Sequence, residues 1–387
     1  MFSERSRGNY TETELARAIG DALRGRASIL DLTASNPTRA ELPYADAEII
    51  SALADPRALS YAPEPFGDRR ARDAIAEEWR ERAPSISADR IVLTASTSEA
   101  YGVLFKLLCD PGDEVLVPEP SYPLLAQLAQ FEATRLSPYR LAYDGAWHID
   151  FASLERARSE RSRALVVVHP NNPTGSFLSR DELDTLSKFG LPIVSDEVFA
   201  SYPLRENALR AKSAIGAAHS TLVFVLDGLS KLAALPQLKL AWTIVAGPEP
   251  MVAEALGRLE ILLDAYLSPG TPVQLALPRL LATRHTATNA IKQRLGDNLA
   301  FLRKTAAGSA LTVLDAEGGW YAVLHLPRGI SEEDWVLGLL ESHEVLVQPG
   351  FFYDFAQEPL LVVSLLTPEA TFREGVRRIV RAVADAG

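Results

Sequence analysis

The chain has 387 residues, 47% hydrophobic and 23% charged, with a formal net charge of −11. That length allows two or three domains with a large core, and the acidic balance argues against nucleic acid or an anionic membrane as the main partner. No apolar run approaches the ~20 residues of a membrane-spanning helix. The polar start Met1–Tyr10 reads as neither a secretory signal nor an anchor, and the single cysteine, Cys109, suits a reducing cytoplasm. The expectation is a soluble cytoplasmic α/β enzyme.

In chain order, residues 1–40 lack a core of their own and are expected to pack on the C-terminal part. Arg69–Arg82 reads as an amphipathic helix, and Ser98–Leu108 as another with Ser98 as its N-cap. β-branched runs follow at Ile91–Leu93, Glu114–Val117, Leu165–Val168, Pro192–Val194, Leu222–Leu226 and Ala241–Val245. Apolar on both faces and separated by helices, they predict a parallel sheet covered on both sides. The breaker cluster Ser268–Pro272 precedes a long helical pattern through Lys304. Short strands at Leu311–Leu314, Trp320–Leu326, Val345–Val347 and Leu361–Leu366 then read as a smaller α+β unit. The expected fold class is α/β: a large domain (41–275) with a mostly parallel, doubly wound sheet, plus a small discontinuous α+β domain (1–40 and 276–387).

Open α/β sheets place their ligands beyond the carboxyl ends of the strands. After the first run comes Thr94-Ala95-Ser96-Thr97-Ser98, a hydroxyl-rich turn opening a helix, which suits a phosphate or simply caps the helix. After the later runs come His169-Pro170-Asn171-Asn172-Pro173-Thr174-Gly175, then Ser195-Asp196-Glu197, then Asp227-Gly228-Leu229-Ser230-Lys231. An amide, a carboxylate and a lysine thus follow the phosphate-ready turn at successive strand ends. These are the parts that pyridoxal phosphate needs: an amine for its aldehyde, an anion for its ring nitrogen, and donors for its oxygens. Dinucleotide, P-loop and nucleophile-elbow motifs are absent, and the six histidines have no metal-ligand spacing. No metal is expected.

Together these residues resemble the fold-type I pyridoxal-phosphate enzymes of the class I/II aminotransferase family, over nearly the whole chain. The stretch Asp31-Leu32-Thr33 to Asn36-Pro37 looks like the family's substrate-side segment, implying substrate roles for Ser35 and Asn36. Tyr61 and Gly67 match the motif whose tyrosine reaches the neighbouring subunit's cofactor phosphate, which implies a homodimer. Ser96 and Thr97 fall on the phosphate turn, and Tyr122 in Pro120–Pro123 is the residue implied to stack on the cofactor ring. By the same resemblance Asn172 meets the phenolic oxygen and the substrate, and Asp196 pairs with the ring nitrogen. Ser230-Lys231 is the Schiff-base motif, with Lys231 also the proton shuttle. Lys239 stands where the family has a phosphate-binding arginine. The implied reaction is amino transfer from a small amino donor to a 2-oxo acid. Within the same fold, a β-elimination or C–S lyase is the alternative; a non-catalytic cofactor-binding effector domain is a third reading.

Several positions depart from the pattern. Phe199 replaces a tyrosine, Gly228 a phosphate-binding serine, and Ser96 a glycine. Val362 stands where the family holds the substrate α-carboxylate with an arginine. An arginine from elsewhere, such as Arg373, neutral donors at Ser35, Asn36 and Asn172, or a substrate without a free α-carboxylate would reconcile that change. The aromatic stretches Trp320-Tyr321 and Phe351–Tyr353 read equally as a pocket wall or as core.

Overall fold

The computed structural model describes residues 2–8, 13–25, 29–356 and 359–386. Helix α1 (Glu14–Gly25) and strand β1 (Leu30–Asp31) lead into α2 (Asp46–Leu53) and α3 (Arg69–Glu78). The Asp68 carboxylate caps α3 by accepting from the Arg70 and Ala71 N–H groups. The helix stops short of the predicted Arg82: the chain turns at Trp79, and the Arg82 guanidinium lies over the Trp79 ring, 5.0 Å from its centre.

Eight strands then form one sheet: β2 (Ile91–Thr94), β3 (Glu114–Glu119), β4 (Arg135–Tyr143), β5 (Trp147–Ile149), β6 (Ser162–Val168), β7 (Ile193–Asp196), β8 (Val223–Gly228) and β9 (Ala241–Ala246). Their order is β2-β9-β8-β7-β6-β3-β4-β5. The central pairs β4–β3–β6–β7–β8 are parallel, whereas β9 runs antiparallel to both of its neighbours and β5 antiparallel to β4. The link 229–240 holds only one α-helical turn, α8 (Leu229–Leu232), and one 3₁₀ turn (Pro236–Leu238), so the chain returns directly beside β8 instead of crossing over. Helices α4 (Thr97–Leu108), α5 (Leu124–Phe131), α6 (Phe151–Ala157) and α7 (Arg180–Ser187) join the parallel strands. One face of the sheet packs in a core with Trp79, Trp242 and Leu277, the other in a core with Phe105, Phe224 and Leu259.

The pattern expected as one helix after the breaker is two, α10 (Thr271–Thr283) and α11 (His285–Ala306), following α9 (Glu249–Asp264). Ala276, Leu277, Leu280 and Leu281 of α10 lie in the large unit's core, so residues 276–283 pack there and not with the small unit. Next come β10 (Thr312–Val313), β11 (Tyr321–His325), α12 (Glu332–His343), β12 (Val345–Leu346), β13 (Gln348–Pro349), β14 (Leu360–Ser364) and α13 (Glu369–Asp385). Strands β10-β11-β14-β13 form an antiparallel sheet. The opening of the chain docks here as expected: β1 pairs parallel with β12, and Leu32 lies in the core formed by α11, α12 and α13. The large mixed sheet and the smaller discontinuous unit bear out the predicted fold class.

Candidate active site

The antiparallel course of β9 brings its amino end to the edge where β2, β3, β6, β7 and β8 finish. That edge opens on a cavity of about 420 Å³, walled on its far side by residues of the small unit. The volume fits a small-molecule site.

At one end, β2 delivers the chain into α4. The Ser96 hydroxyl, not that of Ser98, caps this helix, accepting from the Glu99 N–H at 3.1 Å. As acceptor in that bond, Ser96 still has its own proton to donate. Ser96, Thr97 and Ser98 line the cavity, as do Ser230 and Lys239 from the link between β8 and β9. Lys239 sits in the left-handed region, at φ 54°, where the chain turns back into β9. Four hydroxyls, a helix N-terminus and an ammonium group therefore border one end of the cavity, a setting that favours an anion.

Deeper in, β7 ends on Asp196. Its carboxylate accepts from the Val198 N–H at 3.2 Å and from the Tyr101 hydroxyl at 3.3 Å. Burial pushes its pKa up to about 6 in spite of these bonds and the nearby Lys231 charge. Lys231 has the opposite problem: desolvation lowers its pKa, and Asp196 only partly restores it. The Lys231 Nζ lies 5.4 Å from the Phe199 ring centre and 5.1 Å from that of Trp320. Cation–π attraction of ~1 kcal/mol per ring does not offset the loss of water around a buried ammonium. Burial thus shifts the Lys231 amine toward its neutral form.

The Asn171–Gly175 loop sets the third element. The Asn171 amide donates to the Pro120 carbonyl at 3.1 Å and to the Thr174 hydroxyl at 3.0 Å, tying this loop to the end of β3. Gly175 has φ +72°, and a Cβ there would lie 2.5 Å from the Gly318 carbonyl oxygen, so glycine is required. Asn172 is held against the cavity with its amide oxygen unpartnered, and the buried Ser121 hydroxyl beside it is also unpartnered. Buried polar groups without partners are rare in native proteins. Here they line an open cavity, where a polar ligand supplies the missing bonds.

Of the residues singled out in the sequence, Ser35, Ser96, Thr97, Tyr122, Asn172, Asp196, Phe199, Ser230, Lys231 and Lys239 all line this one cavity. Asn36 does not. Its amide oxygen accepts from the Thr38 N–H and hydroxyl and caps a short turn. Tyr61 is also elsewhere, 83% exposed on the surface. Val362 is fully buried with Leu314, Val323, Tyr353 and Phe355, and no arginine lines the cavity among the described residues. Arg373 is no substitute: it pairs with Glu369 and lies over the Phe301 ring. Of the aromatic stretches, Tyr321 and Tyr353 reach the cavity, while Trp320 is core behind Phe199 and Lys231. Sequence reading missed Tyr101, Ser121 and Gln348. Tyr101 had a readable signal, since it lies four residues after Thr97 on the same face of α4. Gln348 had one only through the β13–β14 register, which sets it opposite Val362.

The profile of the family described as Aminotransferase class I and II matches residues 27–379, nearly the whole chain. The chain belongs to this family. Nicotianamine aminotransferase B of Hordeum vulgare is 28% identical over 298 residues, covering 72% of this chain and 53% of its own length. The chain thus spans about half the length of that relative, and likewise 52% of the S-alkyl-thiohydroximate lyase of Arabidopsis thaliana. An alanine aminotransferase of Mycobacterium tuberculosis is 28% identical over 358 residues, covering 87% of this chain and 81% of its own. Among solved structures, the alanine aminotransferase of Pyrococcus furiosus superposes with a TM-score of 0.88 over 100% of both chains at 22% identity, a likeness of fold. Class I and II membership matches the resemblance read from the motifs.

Proposed function

We propose that this family member is a pyridoxal-phosphate-dependent aminotransferase, moving an amino group from a small amino donor to a carbonyl acceptor. The observation that carries the reading is the buried Lys231 amine, its pKa lowered by desolvation, in the same cavity as the buried Asp196 carboxylate. The cavity's residues fit the cofactor. Ser96, Thr97, Ser230 and Lys239 would hold its phosphate, Tyr122 its ring face, Asn172 its phenolic oxygen and Asp196 its ring nitrogen. The unpartnered Asn172 and Ser121 atoms support that fit. Asp196, alone in a desolvated site, calls for a cation, and a protonated ring nitrogen is one.

When bound, pyridoxal phosphate supplies an aldehyde for Lys231 and a ring that takes up the electron pair released at the substrate Cα. Asp196 would hold that ring nitrogen, and Lys231, once its amine is free, would move the proton at the substrate Cα, first as base and then as acid. Its lowered pKa shifts it toward the base form. Phe199 and Trp320 exclude water on one side of the amine.

Reduction with borohydride should fix the cofactor to Lys231, located by peptide mass spectrometry, and an amino donor should convert the bound cofactor to its amine form. No conversion with any donor would sink the transaminase reading. One relative's name, the thiohydroximate lyase, favours elimination as the second reading; release of pyruvate and ammonia from cysteine or cystathionine without an added acceptor would decide for it. We also propose a homodimer in which the exposed Tyr61 reaches the neighbouring site's phosphate. Tyr61→Phe should then weaken cofactor binding several-fold without changing the dimer mass by light scattering, and a fully active monomer would refute it. Residues 41–283 serve as the cofactor-binding domain in this reading, with 1–40 and 284–387 closing the site. No described helix is long and apolar enough to cross a membrane; the one cysteine, Cys109, is half-buried and free, and a lone free thiol suits a cytoplasmic setting.

A further inference from the structure

We infer that the amino donor of this enzyme carries a neutral hydrogen-bonding group at its α-position, such as a carboxamide or hydroxymethyl, and not a free α-carboxylate. The inference rests on the aminotransferase reading and names the substrate class of that same site. Its ground is the wall opposite the strand ends. Among the described residues, the charged side chains lining the cavity are Asp196, Lys231 and Lys239, the three assigned to the cofactor. The remaining wall, from the small unit, is Ser35, Tyr321, Gln348 and Tyr353, all neutral.

Val362 explains how the wall is built. It lies fully buried in one apolar cluster with Tyr353, packed also against Tyr321, and its β14 position registers opposite Gln348 on β13. An aromatic ring and an amide thus neighbour position 362. The Tyr353 hydroxyl donates to the Gln348 amide oxygen. That bond leaves the Gln348 N–H₂ as donor and the Tyr353 oxygen lone pairs as acceptor. Burial pushes the Tyr353 pKa up beyond the ordinary phenol range, so the phenol keeps its proton at neutral pH.

A carboxylate accepts and never donates. Against this pair it would satisfy one donor and face an oxygen acceptor, with no cation to offset its lost hydration. A carboxamide offers one carbonyl and one N–H₂ and so pairs with both groups. An alcohol does the same with its single hydroxyl. The Tyr321 phenol adds a second neutral partner at the same wall.

The test titrates the cofactor-loaded enzyme with two matched pairs, L-alanine against L-alaninamide and L-phenylalanine against L-phenylalaninamide. Binding is followed by the cofactor's visible absorption and compared per concentration of free amine. The amide should bind at least tenfold tighter in each pair. Gln348→Leu should abolish that advantage, and Gln348→Arg should reverse it in favour of the acids. Equal or tighter binding of the acids to the unmodified enzyme, or no discrimination in either pair, overturns the inference; so does an unchanged amide preference in both variants. If the amides bind tighter yet the cofactor never converts to its amine form, the inference stands and the aminotransferase reading falls.

Discussion

At the scale of single residues, the site is governed by competition between burial and a few polar contacts. Lys231 loses more from desolvation than the rings of Phe199 and Trp320 return, so its amine is tuned toward the neutral form. Asp196 is pushed up to about 6 because two hydrogen bonds do not replace its water. Both groups are poised for partners of the opposite kind, as catalytic groups are. Phe199 adds a second tuning. It lines the same cavity as Asn172 but brings no donor. In the loaded enzyme, Phe199→Tyr should add a hydrogen bond to the cofactor's phenolic oxygen and draw electron density from it. The neighbouring nitrogen then holds its proton less strongly. A hydrogen bond to a charged acceptor contributes ~1.5 kcal/mol, so the pH of the visible spectral transition should fall by about one unit. An unchanged spectrophotometric titration would remove Phe199 from the cofactor's surroundings.

Elements explain why some departures from the family exist at all. Gly228 stands where a phosphate-binding serine is common, and the β8–β9 pairing accounts for it. Gly228 registers opposite Ala241, and a Cβ at 228 would come within 2.9 Å of the Ala241 Cβ and 3.0 Å of the Leu240 carbonyl oxygen. Its backbone is extended, so close approach and not φ excludes a side chain. Gly228→Ser should therefore destabilise by ~1–3 kcal/mol through overpacking, read as a lower urea midpoint, and Ala241→Gly should partly restore it. A neutral effect would mean that the strands separate freely. The same element logic separates what the sequence made legible from what it did not. The central strands β3, β6, β7 and β8 are buried on both faces and read as continuous β-branched runs, and their ends carried the chemistry into view. Strands β4 and β5 escaped because a partly exposed edge needs no such run, and β4 contains Pro138 and two arginines. Antiparallel β9 was legible as a strand but not in direction, since direction depends on how little chain the 229–240 link devotes to a crossover. Gln348 was invisible as a site residue because its place depends on pairing between β13 and β14, which no local pattern encodes.

For the whole molecule, the buried acids couple stability to pH. Burial pushes Glu197 up to about 7 and Asp227 up to about 8, although Glu197 accepts from Ser195, Ser213 and the Ala214 N–H. A carboxyl group whose folded pKa lies above its unfolded value favours folding while protonated. Its penalty begins above the unfolded pKa near 4 and grows until pH passes the folded value. The buried His169 works in the opposite direction, its pKa lowered to about 3, so it destabilises only as pH falls below about 6.5. From pH 6.5 upward the histidine contributes little, but the buried Lys231 amine, its pKa lowered, works against the acids by gaining stability as pH rises. In a cofactor-free Lys231→Met background, which removes that amine, the two acids should cost on the order of 2–3 kcal/mol between pH 6.5 and 8.5, seen as a falling urea midpoint at constant slope. Adding Asp227→Asn keeps the shape and the acceptor for the Gly228 N–H, so it should flatten most of the decline. A midpoint that rises or holds level over this range in the Lys231→Met protein would show that these acids ionise in the fold without penalty, with Arg82, whose charge lowers the pKa of both, as the compensating group.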